Sequence, residues 1–396
     1  MSSQSDDHVT LIGRTNFRGK HRLFGIRDGD RLHHVYAIGK TGTGKSTLME
    51  HLIRQDMEAG RGLALFDPHG DLVERLASSV PLARRDDLLY FDVPDPGVRY
   101  RFNPLERVAP EKRGVAASGI LEVFRKLWPE FWGPRLEHIL RNATLTLLEQ
   151  PEATLADVLR LLDDPSYRTR AVGRVSNAQV RRFWLTEYES YPKSFRAEAT
   201  SPVQNKIGAF LSDPVLHGIL TQPGSAIDLR RVMDDGRILL VNLAKGRIGE
   251  DAASLLGSLL LSRIGLAALS RADTAERDRC DFIVYADEFH SFTTLSLATM
   301  LAELRKYRVG LTLAHQYLGQ LDERVLQAVL GNVGTTLAFR VGPEDAEVLG
   351  RSFEPVFSAQ DLVNLPNHMM YVRLLIRGAL SQPFSAETLP PAEHSA

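Results

Sequence analysis

The sequence predicts an α/β fold, a mostly parallel sheet carrying a phosphate-binding loop and interrupted by an all-helical insertion domain. Three observations predict it. Buried-strand runs alternate with helical stretches from about Arg31 to Pro104 and again from Arg237 onward, as in parallel sheets with helices on both faces. Between them, over 106–225, apolar residues recur at helical spacing, as at Leu136, Leu140, Ala143 and Leu147, with almost no strand runs. The first strand run leads directly into GKTGTGKS at Gly39–Ser46, the phosphate-loop spacing. The reading is one α/β domain in two parts, 1–105 and 226–396, around a helical insertion at 106–225.

In order along the chain, Val35, Tyr36, Ala37 and Ile38 form a buried strand before the loop. After it, Leu48, Met49, Leu52, Ile53 and Met57 fall at helical spacing, and Gly60 ends the helix. Gly62–Phe66 is a second strand, followed at once by DPHGD at 67–71. Leu88–Val93 is a third, leading to Phe102, Asn103, Pro104 and Leu105. Within the insertion, Thr154 with Asp157 reads as a capping box opening a helix through Leu162. Trp128, Trp132 and Trp184 all lie there; they read as core or docking surface, with base stacking as the alternative. Strand runs return at Arg237–Ala244, Phe282–Ala286, Gly310–Ala314, Thr335–Val341 and Met369–Ile376, with a long helix near 251–270. The ends, 1–8 and 388–396, read as disordered.

Composition narrows the class. The chain has 396 residues, 43% apolar and 24% charged, values of a soluble globular protein with room for one large or two ordinary domains. A net charge of −1 argues against a generally sticky nucleic-acid surface, though a narrow channel lined by several subunits needs few basic residues from each. One cysteine, Cys280, excludes an intrachain disulfide and fits a reducing compartment; placed just before an apolar strand, it reads as a small buried hydrophobe. Ala252–Leu269 is nearly as long as a membrane span, but it holds Arg263 and three serines and follows Gly249, Glu250 and Asp251. A buried helix is the expectation, and with it a chain without a membrane span of its own.

The loop is built around a polyphosphate. Gly39, Lys40, Thr41, Gly42, Thr43, Gly44, Lys45, Ser46 and Thr47 are the expected nucleotide-binding residues. The glycines let successive N–H groups turn inward, Lys45 reaches the β- and γ-phosphates, Ser46 offers a hydroxyl to Mg2+, and the helix N-terminus adds its positive end. In FIVYADE, 282–288, four apolar residues and an alanine deliver Asp287 and Glu288 to the carboxyl end of a strand, where ligands bind in open α/β sheets. Asp287 is expected to hold Mg2+ through its water shell, and Glu288 to polarise the attacking water. Gln316, ending the strand Leu311–Ala314 after His315, is a candidate γ-phosphate sensor. Arg305 or Arg308 could reach a neighbouring subunit's nucleotide as an arginine finger, or simply be solvated on a helix face; Arg340 is a weaker candidate of the same kind. In DPHGD, Pro68 stiffens the loop, Gly70 permits a tight turn and Asp67 faces the site, while His69 could touch phosphate, polar neighbours or nucleic acid. The twelve histidines show no zinc spacing.

With those residues in place, the chain resembles the FtsK/HerA superfamily of ring-shaped RecA-like motors, and within it the cytoplasmic ATPase of type IV secretion coupling proteins, the TraD/TraG-like conjugative DNA-transfer family. The resemblance covers roughly 10–390. It rests on GKTGTGKST at 39–47, LFDPHGDL at 65–72, FNPLE at 102–106, FIVYADEF at 282–289, LRKYRVGLTLAHQ at 304–316 and SQPFSAETL at 381–389. WGPRLEHILRNA at 132–143 lies where that family carries its helical domain. The resemblance implies a RecA-like P-loop NTPase using ATP and Mg2+, a hexameric ring with sites at subunit interfaces, DNA threaded through the centre, and Arg305 as the interface finger. Most such coupling proteins begin with membrane-spanning helices; this sequence shows none. The expectation is therefore a cytoplasmic motor, either one recruited to the inner face of the membrane by a separate membrane or secretion-channel partner, or a soluble relative from a mobile element or defence system. The expected function is ATP-driven DNA translocation in conjugative or type IV secretion-type transfer. The alternatives are a secretion ATPase that moves protein and a nucleotide-gated assembly scaffold.

Overall fold

The computed structural model describes residues 8–95, 97, 101–106 and 108–390. The outermost parts of the two ends read as disordered, 1–7 and 391–396, lie outside the described residues. Next to them, His8 accepts a backbone hydrogen bond from Asp28 at 3.0 Å, and Thr388 closes a paired strand. The strands are β1 Val9–Thr15, β2 Leu23–Arg27, β3 Val35–Ile38, β4 Gly62–Asp67, β5 Leu88–Asp92, β6 Ile238–Asn242, β7 Phe282–Ala286, β8 Val309–His315, β9 Thr335–Ala338, β10 Met369–Arg373, β11 Leu375–Ile376, β12 Ala379–Leu380 and β13 Phe384–Thr388.

Eleven of these form one sheet in the order β2-β1-β13-β10-β9-β3-β8-β7-β4-β6-β5. From β9 to β5 every pairing is parallel. Strands β3, β4, β6, β7 and β8 are buried along their whole length, which is why each reads as a continuous apolar run rather than an alternation. Beyond β9 the pairings turn antiparallel. Those outer strands β1, β2 and β13 were not evident in the sequence, since they mix glycine, charge and half-buried residues without a clear period. The expected single strand Met369–Ile376 is two, β10 and β11, separated at Leu374. Arg377 and Gly378, both at positive φ, then turn the chain back into β12 as a tight hairpin.

The chain forms two compact units. One runs through Asp92 and takes in Arg230–Ala244 and everything from Ala268; the other comprises Val93–Leu229 and Lys245–Ala267. In the first, Leu48, Met49, Leu52, Ile53 and Met57 of the helix Lys45–Glu58 pack in one cluster with Leu63, Leu65, Ile283, Tyr285 and Leu337 from the sheet. That helix therefore lies across strands β4, β7 and β9, and its packing fixes where its N-terminal loop stands.

The second unit is helical, with no strand among its described residues. Trp128 and Trp184 are core: Trp128 stacks on Phe124 at 4.9 Å, and the Trp184 indole donates to Thr146 Oγ1 at 2.8 Å. Trp132 is half-buried and donates to Glu137. Asp157 accepts from the Thr154 backbone N–H and hydroxyl, one half of the expected capping box. The long helix is Glu250–Ser270. By length and composition it could cross a membrane, yet 67% of its most apolar window is buried. All but its last turn belongs to the second unit, whereas the sequence reading grouped it with the α/β part. A helix apolar on every side carries no stripe to say which neighbour it packs against. Within that unit the two helices approach closely at Gly119, where a Cβ would lie 2.5 Å from Ser262 Oγ and would require that hydroxyl to turn away.

Cys280 corrects an expectation. It is exposed, with Sγ 3.5 Å from the Asp234 carbonyl. It precedes the buried strand β7 by two residues, on the solvent side of the sheet's amino edge.

Candidate functional site

The phosphate loop joins β3 to the helix Lys45–Glu58. Gly42 and Gly44 take φ of 74° and 117°, conformations costly for other residues. A Cβ at Gly39 would lie 2.5 Å from Phe339 Cβ, so this glycine is required by packing. Three outside contacts brace the loop: Gly39 N–H donates to the His315 carbonyl at 3.3 Å, Lys40 N–H to the Arg340 carbonyl at 2.8 Å, and His368 N–H to the Thr43 carbonyl at 2.8 Å. The Thr43 hydroxyl donates to the Lys40 carbonyl at 2.7 Å. The Lys45 ammonium donates to the carbonyls of Gly39 and Lys40, so it sits within the curl of its own loop.

Strand β7 carries Asp287 and Glu288 to the same edge, with β8 intervening between β7 and β3. Ser46 Oγ is 3.5 Å from Asp287 Oδ2. Gln316, just past β8, donates from Nε2 to Glu288 Oε1 at 2.9 Å, and Glu288 Oε2 stands 3.4 Å from His290 Nδ1. Glu288 adopts a left-handed backbone conformation, φ 43°, a strained choice for a non-glycine residue and one common at functional sites. Thus Lys45, Ser46, Asp287, Glu288 and Gln316 come together at the carboxyl end of the parallel strands.

The electrostatics follow from crowding. Asp287 is pushed up to about 7, first by burial and then by the neighbouring charges of Asp67 and Glu288, with Lys45 opposing. Burial also lowers Lys45, while Glu288 and Asp287 pull it back up. Three carboxylates facing one ammonium make a place that favours additional positive charge. Asp67 is itself occupied: its carboxylate accepts from the N–H groups of His69, Leu72 and Val73, capping the helix Asp71–Ser78. Gly70 makes the expected tight turn at φ 91°, and the His69 side chain is exposed.

The family described as Helicase HerA, central domain, matches residues 28–264. The chain belongs to this family. Its fold is the RecA-like fold of the bacterial conjugative coupling protein TrwB: the TrwBΔN70 structure matches with a TM-score of 0.63, covering 95% of this chain and 89% of that one at 18% identity. TrwB in complex with ADP and Mg2+ matches with a TM-score of 0.63, covering 96% and 89% at 19% identity. VirB4 of Thermoanaerobacter pseudethanolicus matches with a TM-score of 0.63, covering 98% and 97% at 14% identity. At these identities the likeness is one of fold. No curated protein sequence matches the chain.

The HerA-family match ends before β7, so Asp287, Glu288 and Gln316 are placed at the site by geometry alone. Of the three arginines, Arg305 and Arg308 are not brought there, whereas Arg340 stands beside the loop, its carbonyl accepting from the Lys40 N–H. Arg305 precedes β8 and is exposed; a seven-residue strand, roughly 23 Å long, separates it from Gln316. Arg308 is engaged with Asp281, at 2.5 and 3.0 Å. Arg340 donates to the Leu365 carbonyl and, at 2.8 Å, to Asn367 Oδ1. The sequence reading missed three residues around this HerA-type loop. His315 meets the Tyr36 hydroxyl at 2.5 Å and is held neutral, pushed down to about 3 chiefly by burial; its place beside Gln316 was the available signal. His290 follows Glu288 by two and could have been found the same way. His368 braces the loop through its backbone, which no side-chain pattern announces.

Proposed function

We propose that this HerA-family chain hydrolyses ATP with Mg2+ and uses the energy to translocate DNA as a hexameric ring. The observation that carries the reading is the convergence of Lys45, Ser46, Asp287, Glu288 and Gln316 at one end of the parallel strands. Turned outward from Gly39 and Lys40, Lys45 would meet the β- and γ-phosphates, and the loop N–H groups would cradle them. The residues fit Mg2+. Ser46 Oγ and the Asp287 carboxylate are neighbouring hard oxygen ligands beside surplus negative charge, and Mg2+ is usually held by one or two protein oxygens plus phosphate and water. When bound at Ser46 and Asp287, it would supply positive charge to offset the negative charge of the phosphates. Glu288, its carboxylate oriented by Gln316, would accept a proton from the attacking water while the Gln316 amide orients that water toward the γ-phosphate.

Arg305, too far from its own loop, would complete the site of the next subunit, which makes hydrolysis depend on the ring. Grip on DNA would come from phosphate contacts, with strong salt dependence and little sequence preference. The ring would work in the cytoplasm, brought to the inner face of the membrane by a separate secretion-channel partner, in conjugative or type IV secretion-type transfer. The test is phosphate release with single- and double-stranded DNA at low salt. Stimulation by either, lost in Lys45→Ala, supports the reading; indifference to both, with no DNA retained, removes the translocase half of it.

A further inference from the structure

A second set of charged residues lies beneath the sheet, away from the nucleotide loop. Arg31 and Asp56 are 2% and 0% exposed, and they pair bidentately at 2.6 and 2.8 Å. Arg61 adds a bond to Asp56 at 2.8 Å and another to Asp28 at 3.1 Å. The Tyr285 hydroxyl closes the group: it receives from Arg31 Nη2 at 2.6 Å and donates to Asp56 Oδ2 at 2.6 Å. Two arginines and two aspartates balance in charge. Burial pushes Asp56 up, and the charges and hydrogen bonds of Arg31, Tyr285 and Arg61 outweigh it and hold the carboxyl below the usual carboxylate range.

Such a network is expensive. Buried ion groups of this kind are often no more stabilising than apolar side chains of the same volume, and their best-attested use is to fix register. The elements joined here suggest what is being fixed. Asp56 stands on the helix that starts at Lys45. Tyr285 stands on β7, two residues before Asp287, and side chains two apart on a strand share a face. The same helix and strand meet again at Ser46 and Asp287, 3.5 Å apart. The helix carrying the phosphate loop and the strand carrying the acids are therefore pinned to each other at two places, one of which is the active site.

We propose that Tyr285 is a positioning residue: its hydroxyl, clamped by Arg31 and Asp56, sets where Asp287 and Glu288 stand relative to Lys45 and Ser46. The inference rests on the hydrolytic reading above and adds to it a residue that touches neither nucleotide nor metal. A displacement of the order of 1 Å at a reacting centre costs about a hundredfold, so a strand freed by a few tenths of an ångström would lose less.

The test is Tyr285→Phe, which removes one oxygen and keeps the ring in its packing. Three quantities are read on the full-length protein: the rate of ATP hydrolysis against Mg2+ concentration, binding of a fluorescent ATP analogue in EDTA, and Mn2+ binding in the presence of nucleotide by electron paramagnetic resonance. Expected are a kcat lower by about tenfold, a severalfold rise in the Mg2+ needed for half-maximal rate, a weaker Mn2+ site, and metal-free nucleotide affinity within about twofold of wild type. A purely structural role would lower the melting temperature and leave the metal dependence of the folded protein unchanged; that result overturns the proposal. Should Tyr285→Phe not fold, Arg31→Lys retains the charge opposite Asp56 while withdrawing the contact to Tyr285, and the same split is expected. If the wild type hydrolyses no nucleotide, the hydrolytic reading fails separately, and the Mn2+ comparison still decides the positioning claim.

Discussion

Gln316 Nε2 donates to Glu288 Oε1 across 2.9 Å, tying together the carboxyl ends of the adjacent strands β8 and β7. The bond fixes one carboxylate oxygen and orients the other toward His290, 3.4 Å away. It also stabilises a glutamate whose backbone is left-handed. A carboxylate held this way is ready to accept a proton without first reorganising, the condition for an efficient general base.

Glu288→Gln should therefore retain nucleotide binding and lose hydrolysis by about 10²–10⁴-fold, the usual worth of a positioned base. Gln316→Ala should lose less, because the carboxylate remains and only its orientation is relaxed. Phosphate release, set beside titration of a fluorescent ATP analogue, separates the two. Hydrolysis by Glu288→Gln within threefold of wild type would remove Glu288 from the base role.

Lys45→Ala should act on binding itself. Its ammonium is held by two loop carbonyls and replaces them with phosphate oxygens only when a polyphosphate enters. A charge-assisted contact of that kind contributes about 1.5–3 kcal/mol, so the dissociation constant for ATP should rise roughly 10- to 100-fold. Isothermal titration measures it directly, and an unchanged constant would mean that Lys45 does not reach phosphate.

Much of this site was legible in the sequence because each part is local. Glycine spacing marks the loop, and an apolar run ending in Asp287 and Glu288 marks the acids. The parallel core was legible for the same reason, since strands buried on both faces are written as unbroken apolar runs. What was not legible is long-range. Strands β1, β2 and β13 are defined by pairing rather than by pattern. Arg31, Asp56 and Tyr285 are scattered over 254 positions and look like an ordinary surface arginine, a helix aspartate and a strand aromatic. Cys280 differs from its expectation because the apolar run of β7 begins only two residues later, while Cys280 itself stands between Arg279 and Asp281 at an open edge.

Acidification should unfold the protein in a defined window. His34 accepts from Leu311 N–H at Nδ1, 3.0 Å, and so presents Nε2–H to the Leu301 carbonyl, 3.0 Å. Both ring nitrogens are used in the neutral form, and burial pushes the group down to about 4. Unfolded, it titrates near 6.5, so between these values the unfolded chain binds the extra proton. Stability is complete above pH ~6.5 and falls as pH drops toward ~4, by about 3 kcal/mol for this group. Urea midpoints should decline from pH 7 to 4.5. In His34→Asn, which tolerates the positive φ at this position, the protein should be weaker at pH 7 and its decline shallower. An equally steep decline would assign the effect to other groups, His315 first.

The two arginines before β8 should behave oppositely. Arg308 pairs with Asp281, whose side chain is 6% exposed, so Arg308→Ala leaves a buried carboxylate alone and should destabilise the fold by about 3 kcal/mol. Arg305 is exposed and at the far end of β8 from Gln316; Arg305→Ala should leave the melting temperature unchanged. If Arg305 completes a neighbour's site, its loss should nonetheless lower ATP hydrolysis by about 10³-fold or more. The defect should be repaired in part by mixing. An Arg305→Ala subunit retains Glu288, and a Glu288→Gln subunit retains Arg305, so a mixed ring contains some interfaces with both. Two inactive proteins that regain hydrolysis together, in proportion to the chance of such neighbours, would place the finger in trans. Full activity in Arg305→Ala alone would show that the site needs no arginine from this position.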